Sequence, residues 1–224
     1  MPTRPVPLTI PLPSGSTISG LLQAPASAKA CYVFAHGAGA GMNHAFMEAI
    51  AQGLVERGIA SLRFNFPFME QGSKRPDSPA VAHAAIRAAV AETARRMPDV
   101  PLFAGGKSYG GRMTTQAQAA EPLPGLKGIV LVGFPLHPAG KPSAERAAHL
   151  DSVKLPMLFL QGTRDSLADL DLITKVTASL GKKATLHTVE GADHAFHVLV
   201  RSGRTDAQVR EELLETMTAW MTKR

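Results

Sequence analysis

One cysteine in 224 residues, Cys31, leaves no partner for an internal disulfide and fits a reducing compartment, so a cytoplasmic protein is expected. No apolar run approaches the roughly 18 residues of a membrane span. The stretch from Met1 to Leu8 has no apolar segment of the secretory kind, so no signal peptide is expected. No repeat, low-complexity tract or linker interrupts the chain. What is present suits one α/β domain over residues 1–224, with 45% hydrophobic residues available for a sizeable core. The net charge of +6 and the pI near 9.7 would suit a nucleic-acid binder. However, the basic residues are scattered, and Arg95-Arg96 and Lys182-Lys183 are pairs rather than runs. They read as a solvated surface, and no nucleic-acid partner is expected. Nothing in the pattern indicates an oligomeric state.

Along the chain, short apolar runs alternate with helical periodicity. Thr9 to Pro13 and Thr17 to Gln23 read as strands around the turn Pro13-Ser14-Gly15. Further strands are expected at Cys31 to Ala35, Ile59 to Phe64, Leu102 to Ala104, Leu126 to Gly133, Pro156 to Gln161 and Ala184 to Val189. The helices between them are expected to start at an Asn43 cap, at Val81 (running to Met97), after Ser108 and at Leu167. A last helix is capped by a Thr205/Gln208 box, and Val209, Leu213, Met217, Trp220 and Met221 form its apolar face. Such alternation gives a mainly parallel sheet with helices on both faces. Ligands bind such sheets at the carboxyl ends of the strands.

Gly106-Lys107-Ser108-Tyr109-Gly110 follows one strand at once and matches G-x-S-x-G. A serine between strand and helix sits on a strained backbone, and the glycines leave room for the turn. The hydroxyl is lifted clear of the sheet, and the Tyr109 N–H points where an oxyanion would form. Two rivals use the same residues. A phosphate-binding loop needs a glycine five residues before Gly106, where Pro101 stands. An ordinary strand–helix turn with a capping serine would need nothing further from the chain. Elsewhere, Gly37-Ala38-Gly39 starts a dinucleotide fingerprint, but its third glycine would be Met42, and no acidic residue ends the next strand.

A serine hydroxyl needs a base in hydrogen-bond reach, and the base needs an acceptor that fixes its tautomer. Asp165 and His194 each follow a strand's carboxyl end, and the order Ser108, Asp165, His194 is that of α/β-hydrolases. His197 is the rival base, expected one turn inside a following short helix, and Asp193 is the rival acid, although side chains adjacent in sequence diverge. Asp169 and Asp171 suit a helix's first turn. His44, His83, His149 and His187 are expected at the surface or on helices.

The chain resembles the α/β-hydrolase superfamily, most closely its small, nearly cap-less, dienelactone-hydrolase-like branch, which includes testis-expressed and chromatin-complex-subunit hydrolase-like proteins. His36 to Gly39, Gly106 to Gly111, Phe134 to Pro138 and Gly162 to Asp165 carry the resemblance, which runs from about Cys31 to the end. It implies a three-layer α/β-hydrolase fold, with a mostly parallel central sheet and a minimal lid or none. The stretch before the Pro156 strand has room for only about 20 residues of lid. It also implies that Ala38 supplies the second oxyanion N–H, in a loop with Gly37 and Gly39 whose backbone His36 holds. His137 is a candidate for lining the pocket. Phe66, with Phe68 and Met69, is either core or the apolar wall of the acyl pocket. Lys107 either attracts an anionic substrate or points to solvent.

The expected activity is hydrolysis of a small-molecule ester or thioester of a small to medium acyl group, with Ser108, Asp165 and His194 as the catalytic residues. No metal or organic cofactor is implied. A non-catalytic interaction module with a vestigial triad, and a peptidase or cyclic-ester hydrolase on the same machinery, are the alternatives.

Overall fold

In the computed structural model, which describes residues 4–224, the apolar runs become the eight strands of one sheet. They are β1 (Val6–Pro11), β2 (Thr17–Gln23), β3 (Ala30–Ala35), β4 (Ile59–Phe64), β5 (Leu102–Lys107), β6 (Leu126–Val132), β7 (Met157–Gly162) and β8 (Ala184–Val189). Residues 1–3, part of the stretch in which no signal peptide is expected, lie outside the described residues. The spatial order is β1-β2-β4-β3-β5-β6-β7-β8. β2 is antiparallel to both β1 and β4, and every other neighbouring pair is parallel. β3, β4 and β7 are buried at every residue, as strands covered on both faces must be. β1 is an edge strand, where Pro7 and Pro11 are tolerated because one side of the backbone has no ladder to join.

The helices are α1 (Ala45–Glu56), α2 (Pro67–Glu70), α3 (Pro79–Arg96), α4 (Tyr109–Ala120), α5 (Leu170–Ser179) and α6 (Asp206–Thr222). Strand side chains alternate between faces, and the core divides accordingly. Tyr32, Phe34 and Phe103 point to one face, where Met47, Ile50 and Leu54 of α1 and Val209, Leu213, Met217 and Trp220 of α6 cover them. Cys31, Val33 and Ala104 point to the other, under Ile86 and Val90 of α3 and Met113 of α4. α5 and a 3₁₀ segment, Glu145–Ser152, extend that layer over β6 and β7. Between β6 and β7 that segment is the only helical piece, so the chain has a minimal lid. No helix among the described residues is long and apolar enough to cross a membrane.

Several element limits depart from expectation, each for a local reason. β1 begins at Val6 rather than Thr9 and stops at Pro11, because its register against β2 is set by the turn at Ser14–Gly15. His44, not Asn43, caps α1: its Nδ1 accepts the Phe46 N–H at 3.2 Å. α3 starts two residues early, at Pro79, whose fixed φ suits a first helical position. α2 was not expected; it also opens on a proline, Pro67. α5 begins at Leu170 rather than Leu167, because Asp169 caps it by accepting the Leu172 N–H at 2.9 Å. The Thr205/Gln208 capping box forms as expected.

Candidate active site

Ser108 joins β5 to α4 with φ 51° and ψ −115°, a conformation that costs energy for any residue with a Cβ. The turn is so tight that a Cβ added at Gly106 or at Gly110 would lie 2.5 Å from the Ala35 carbonyl oxygen. Glycine at both positions is therefore what lets α4 approach the end of β3. The Ser108 N–H donates to Val132 O at 3.1 Å, which pins the turn to β6. Tyr109 is the first residue of α4, and a first-turn N–H has no acceptor inside its own helix.

His194 lies in the irregular loop after β8, and Asp165 in the turn after β7. The imidazole bridges the other two side chains. Its Nδ1 is 2.7 Å from Asp165 Oδ2 and its Nε2 is 2.8 Å from Ser108 Oγ. A carboxylate only accepts, so Nδ1 carries the proton and Nε2 is left to accept the serine hydroxyl. The Asp165 carboxylate is itself fully buried and held by two further donors, the Leu167 N–H at 2.8 Å and Gln161 Nε2 at 2.5 Å. Gln161 is fixed in turn by accepting the Phe134 N–H at 3.0 Å. Asp193 serves its own loop: Oδ1 accepts the N–H groups of Ala195 at 2.8 Å and His197 at 2.9 Å. His197 stands outside any helix, contrary to expectation, and its Nδ1 pairs with Asp206 at 2.8 Å on the surface.

The loop after β3 is fastened at both ends to the chain leaving β4. At one end His36 Nδ1–H donates to Gly37 O at 2.7 Å and Nε2 accepts the Phe66 N–H at 3.0 Å. At the other, Met42 is held on both sides, its N–H by Asn65 Oδ1 at 2.9 Å and its carbonyl by Arg63 at 2.7 Å. Ala38 sits between these two anchors.

A family model for the alpha/beta hydrolase domain matches residues 28–222. The chain belongs to the α/β-hydrolase family. Solved members of this fold superpose on nearly its whole length. A lid-less α/β serine hydrolase from Xanthomonas campestris has 22% identity and a TM-score of 0.76, covering 98% of this chain and 96% of its own. A dienelactone hydrolase from Anabaena variabilis gives 17% and 0.79, covering 100% and 99%. The esterase domain of a Rhodothermus marinus protein gives 16% and 0.74, covering 98% of each.

Within this α/β-hydrolase fold, a cavity of about 410 Å³ opens over Ser108. Gly37, Ala38 and Gly39 form one wall, Phe46 and Met47 another, and Leu167 and His194 close it. His137, a candidate for lining it, does not, and neither does His36, which holds the loop as expected, nor Phe66. His36 and Phe66 are fully buried, and His137 nearly so. Phe66 is core, its ring edge-on to His36 at 4.9 Å and to Tyr109 at 5.3 Å. His137 braces the turn that carries Asp165: its Nδ1–H donates to Pro138 O, and its Nε2 accepts the Asp169 N–H at 2.8 Å. His44, expected at the surface or on a helix, is exposed at the start of α1 and also lines the cavity. Lys107 neither points to solvent nor stands free. Its ammonium donates to the His194 carbonyl at 2.6 Å and lies 5.5 Å over the Phe196 ring. Burial pushes the Lys107 amine down to about 8, against the pull of Asp165 and Asp193.

Arg63, Asn65 and Gln161 had no place in the sequence reading. One signal was visible: Arg63 is the one charged residue in a buried strand, and a buried charge requires a partner. The Met42 anchor gives an expected result. Asn65→Ala strands the Met42 N–H and loosens one end of the loop that carries Ala38, which Arg63 alone then holds. Steady-state kinetics should show kcat lowered about tenfold, less than the hundredfold or more of losing an oxyanion donor outright, with little change in KM.

Burial also drives the His36 imidazole down to about 4, from its ordinary 6.5. His149 shifts the same way, to about 4, through burial and the nearby Arg112. The unfolded chain therefore binds protons that the folded chain excludes. Stability from the neutral His36 ring is complete above pH 6.5 and is lost as pH falls towards 4, up to about 3 kcal/mol at 1.36 kcal/mol per unit. Urea unfolding between pH 7 and 4 should show the midpoint fall steadily across that window.

Proposed function

We propose that the protein is a serine hydrolase that cleaves an ester or thioester of a small to medium acyl group through an acyl-enzyme on Ser108. The observation that carries this reading is the His194 imidazole, within hydrogen-bond distance of both Asp165 and Ser108 beside an open cavity. Ser108 Oγ attacks the substrate carbonyl and His194 Nε2 takes its proton. Asp165 keeps the other ring nitrogen protonated and stabilises the imidazolium that forms. The N–H groups of Tyr109 and Ala38 hold the oxyanion of the tetrahedral intermediate. As it collapses, His194 returns the proton to the leaving oxygen or sulfur, and the alcohol or thiol departs. Water, activated by the same imidazole, then attacks the acyl-serine, and the acid leaves with Ser108 restored.

The strained elbow supports catalysis over a vestigial site. A fold kept only for binding would gain nothing from holding Ser108 in a costly conformation. The test is p-nitrophenyl acetate with the whole chain. The reading requires nitrophenol release well above that of a Ser108→Ala variant, with an initial burst equal to the enzyme present where deacylation is the slower step. Release no faster than from a Ser108→Ala variant would refute it.

A further inference from the structure

A second cavity, of about 290 Å³, adjoins the one over Ser108. It lies between α1 and α6, with Phe46, Ala49, Phe196 and Leu213 among its walls and Arg210 at its edge. Phe46 and Ala195 line both cavities, so the two share one wall. Phe46 stacks on Phe196, centroids 6.0 Å apart and planes 13° from parallel. Phe196 has φ 64°, which a bulky residue adopts only when its surroundings impose it. Phe196 is only 3% exposed, packed by Phe46 and with the Lys107 ammonium 5.5 Å over its ring, so the half-buried Phe46 is the aromatic ring that both cavities share.

The chemistry says which arm of a substrate passes this way. The base must protonate the leaving atom, so the leaving group departs on the imidazole side of the carbonyl. The second cavity is walled by Ala195, Phe196 and His197, the residues that directly follow His194. The loop Gly37–Ala40 lines the first cavity and is absent from the second.

We propose that the second cavity is a leaving-group subsite, and that it takes an apolar, ring-bearing alcohol or thiol laid against Phe46. This rests on the serine-hydrolase reading above and adds to it the class of leaving group. Aromatic rings favour offset or edge-on contact with one another, which gives Phe46 a preference for an aryl arm over an alkyl arm. The acyl arm stays in the first cavity.

The test uses two ester series with the whole chain. One keeps acetate and varies the alcohol: ethyl, butyl, 2-phenylethyl. The other keeps ethanol and varies the acid: acetate, butyrate, hexanoate. The ratio of kcat/KM for 2-phenylethyl acetate over ethyl acetate should be about tenfold or more, the scale on which apolar pockets discriminate. Ala49→Phe fills the second cavity from α1 and should cut that ratio about fivefold, while the hexanoate-to-acetate ratio holds. Ala49→Met, a smaller intrusion, should act in the same direction, and it serves if the larger ring disturbs folding, which a thermal melt reports. A shift in the acyl series instead would assign the cavity to the acyl arm and overturn the proposal, as would no shift in either series. If the wild-type chain hydrolyses none of the esters and Ser108 takes no fluorophosphonate, the serine-hydrolase reading itself fails. If Ser108 is labelled and esters are hydrolysed but the ratios do not respond, only the subsite fails.

Discussion

Asp165→Asn should lower kcat about 10⁴-fold with the fold intact, the scale of losing the correct imidazole tautomer. The hydrogen bonds explain why so conservative a change is so damaging. Every partner of the Asp165 carboxylate is a donor: the Leu167 N–H, Gln161 Nε2 and His194 Nδ1–H. An amide can accept with only one of its two ends. Gln161 cannot turn its oxygen towards the new NH₂ without giving up the Phe134 N–H. The imidazole therefore accepts from the amide at Nδ1 and carries its proton on Nε2, facing Ser108, where a base is needed. Asp193→Asn is the control. The Asp193 oxygen that receives the Ala195 and His197 N–H groups has an equivalent in asparagine, so kcat should change by no more than about threefold. Turnover of a p-nitrophenyl ester by both variants, with circular dichroism to check folding, decides the matter. A larger loss from Asp193→Asn would show that the acid has been misassigned.

His194→Ala should abolish fluorophosphonate labelling of Ser108, while His197→Ala should leave it near the wild-type rate. Without the imidazole at 2.8 Å the serine has no acceptor for its proton, and a neutral hydroxyl is a poor nucleophile. His197 faces away, more than half exposed and paired with Asp206, whose carboxylate raises the imidazole's proton affinity. Its removal should cost only a little thermal stability, because exposed ion pairs contribute little. Labelling that survives in the His194 variant and vanishes in the His197 variant would reverse the two roles.

How much of this was legible in the sequence differs between the fold and the site. The sheet was legible because each buried strand is a short apolar run between turn residues, and because strand–helix alternation forces parallel pairing. The convergence of Ser108, Asp165 and His194 followed from the same topology, since each lies just beyond a strand that ends at one edge of the sheet. The buried polar partners were not legible. Nothing near His137 in sequence shows that its ring meets the N–H of Asp169, or that His36 meets that of Phe66. These are long-range pairings set by how loops from different strands pack. The sequence leaves Phe66 between pocket and core; its burial against Tyr109 makes it core. His197 was misplaced because the loop's shape comes from Asp193 gathering two backbone N–H groups and from Phe196 in a left-handed conformation. Local propensity predicts neither feature.

If Ser108 is the nucleophile, covalent trapping finds it. The whole chain is incubated with a fluorophosphonate, its intact mass is measured, and the adduct is mapped by peptide sequencing. One adduct per chain is expected, on Ser108, and none in the Ser108→Ala variant. An unmodified mass in the wild-type chain, or an adduct mapped to any other serine, would contradict it.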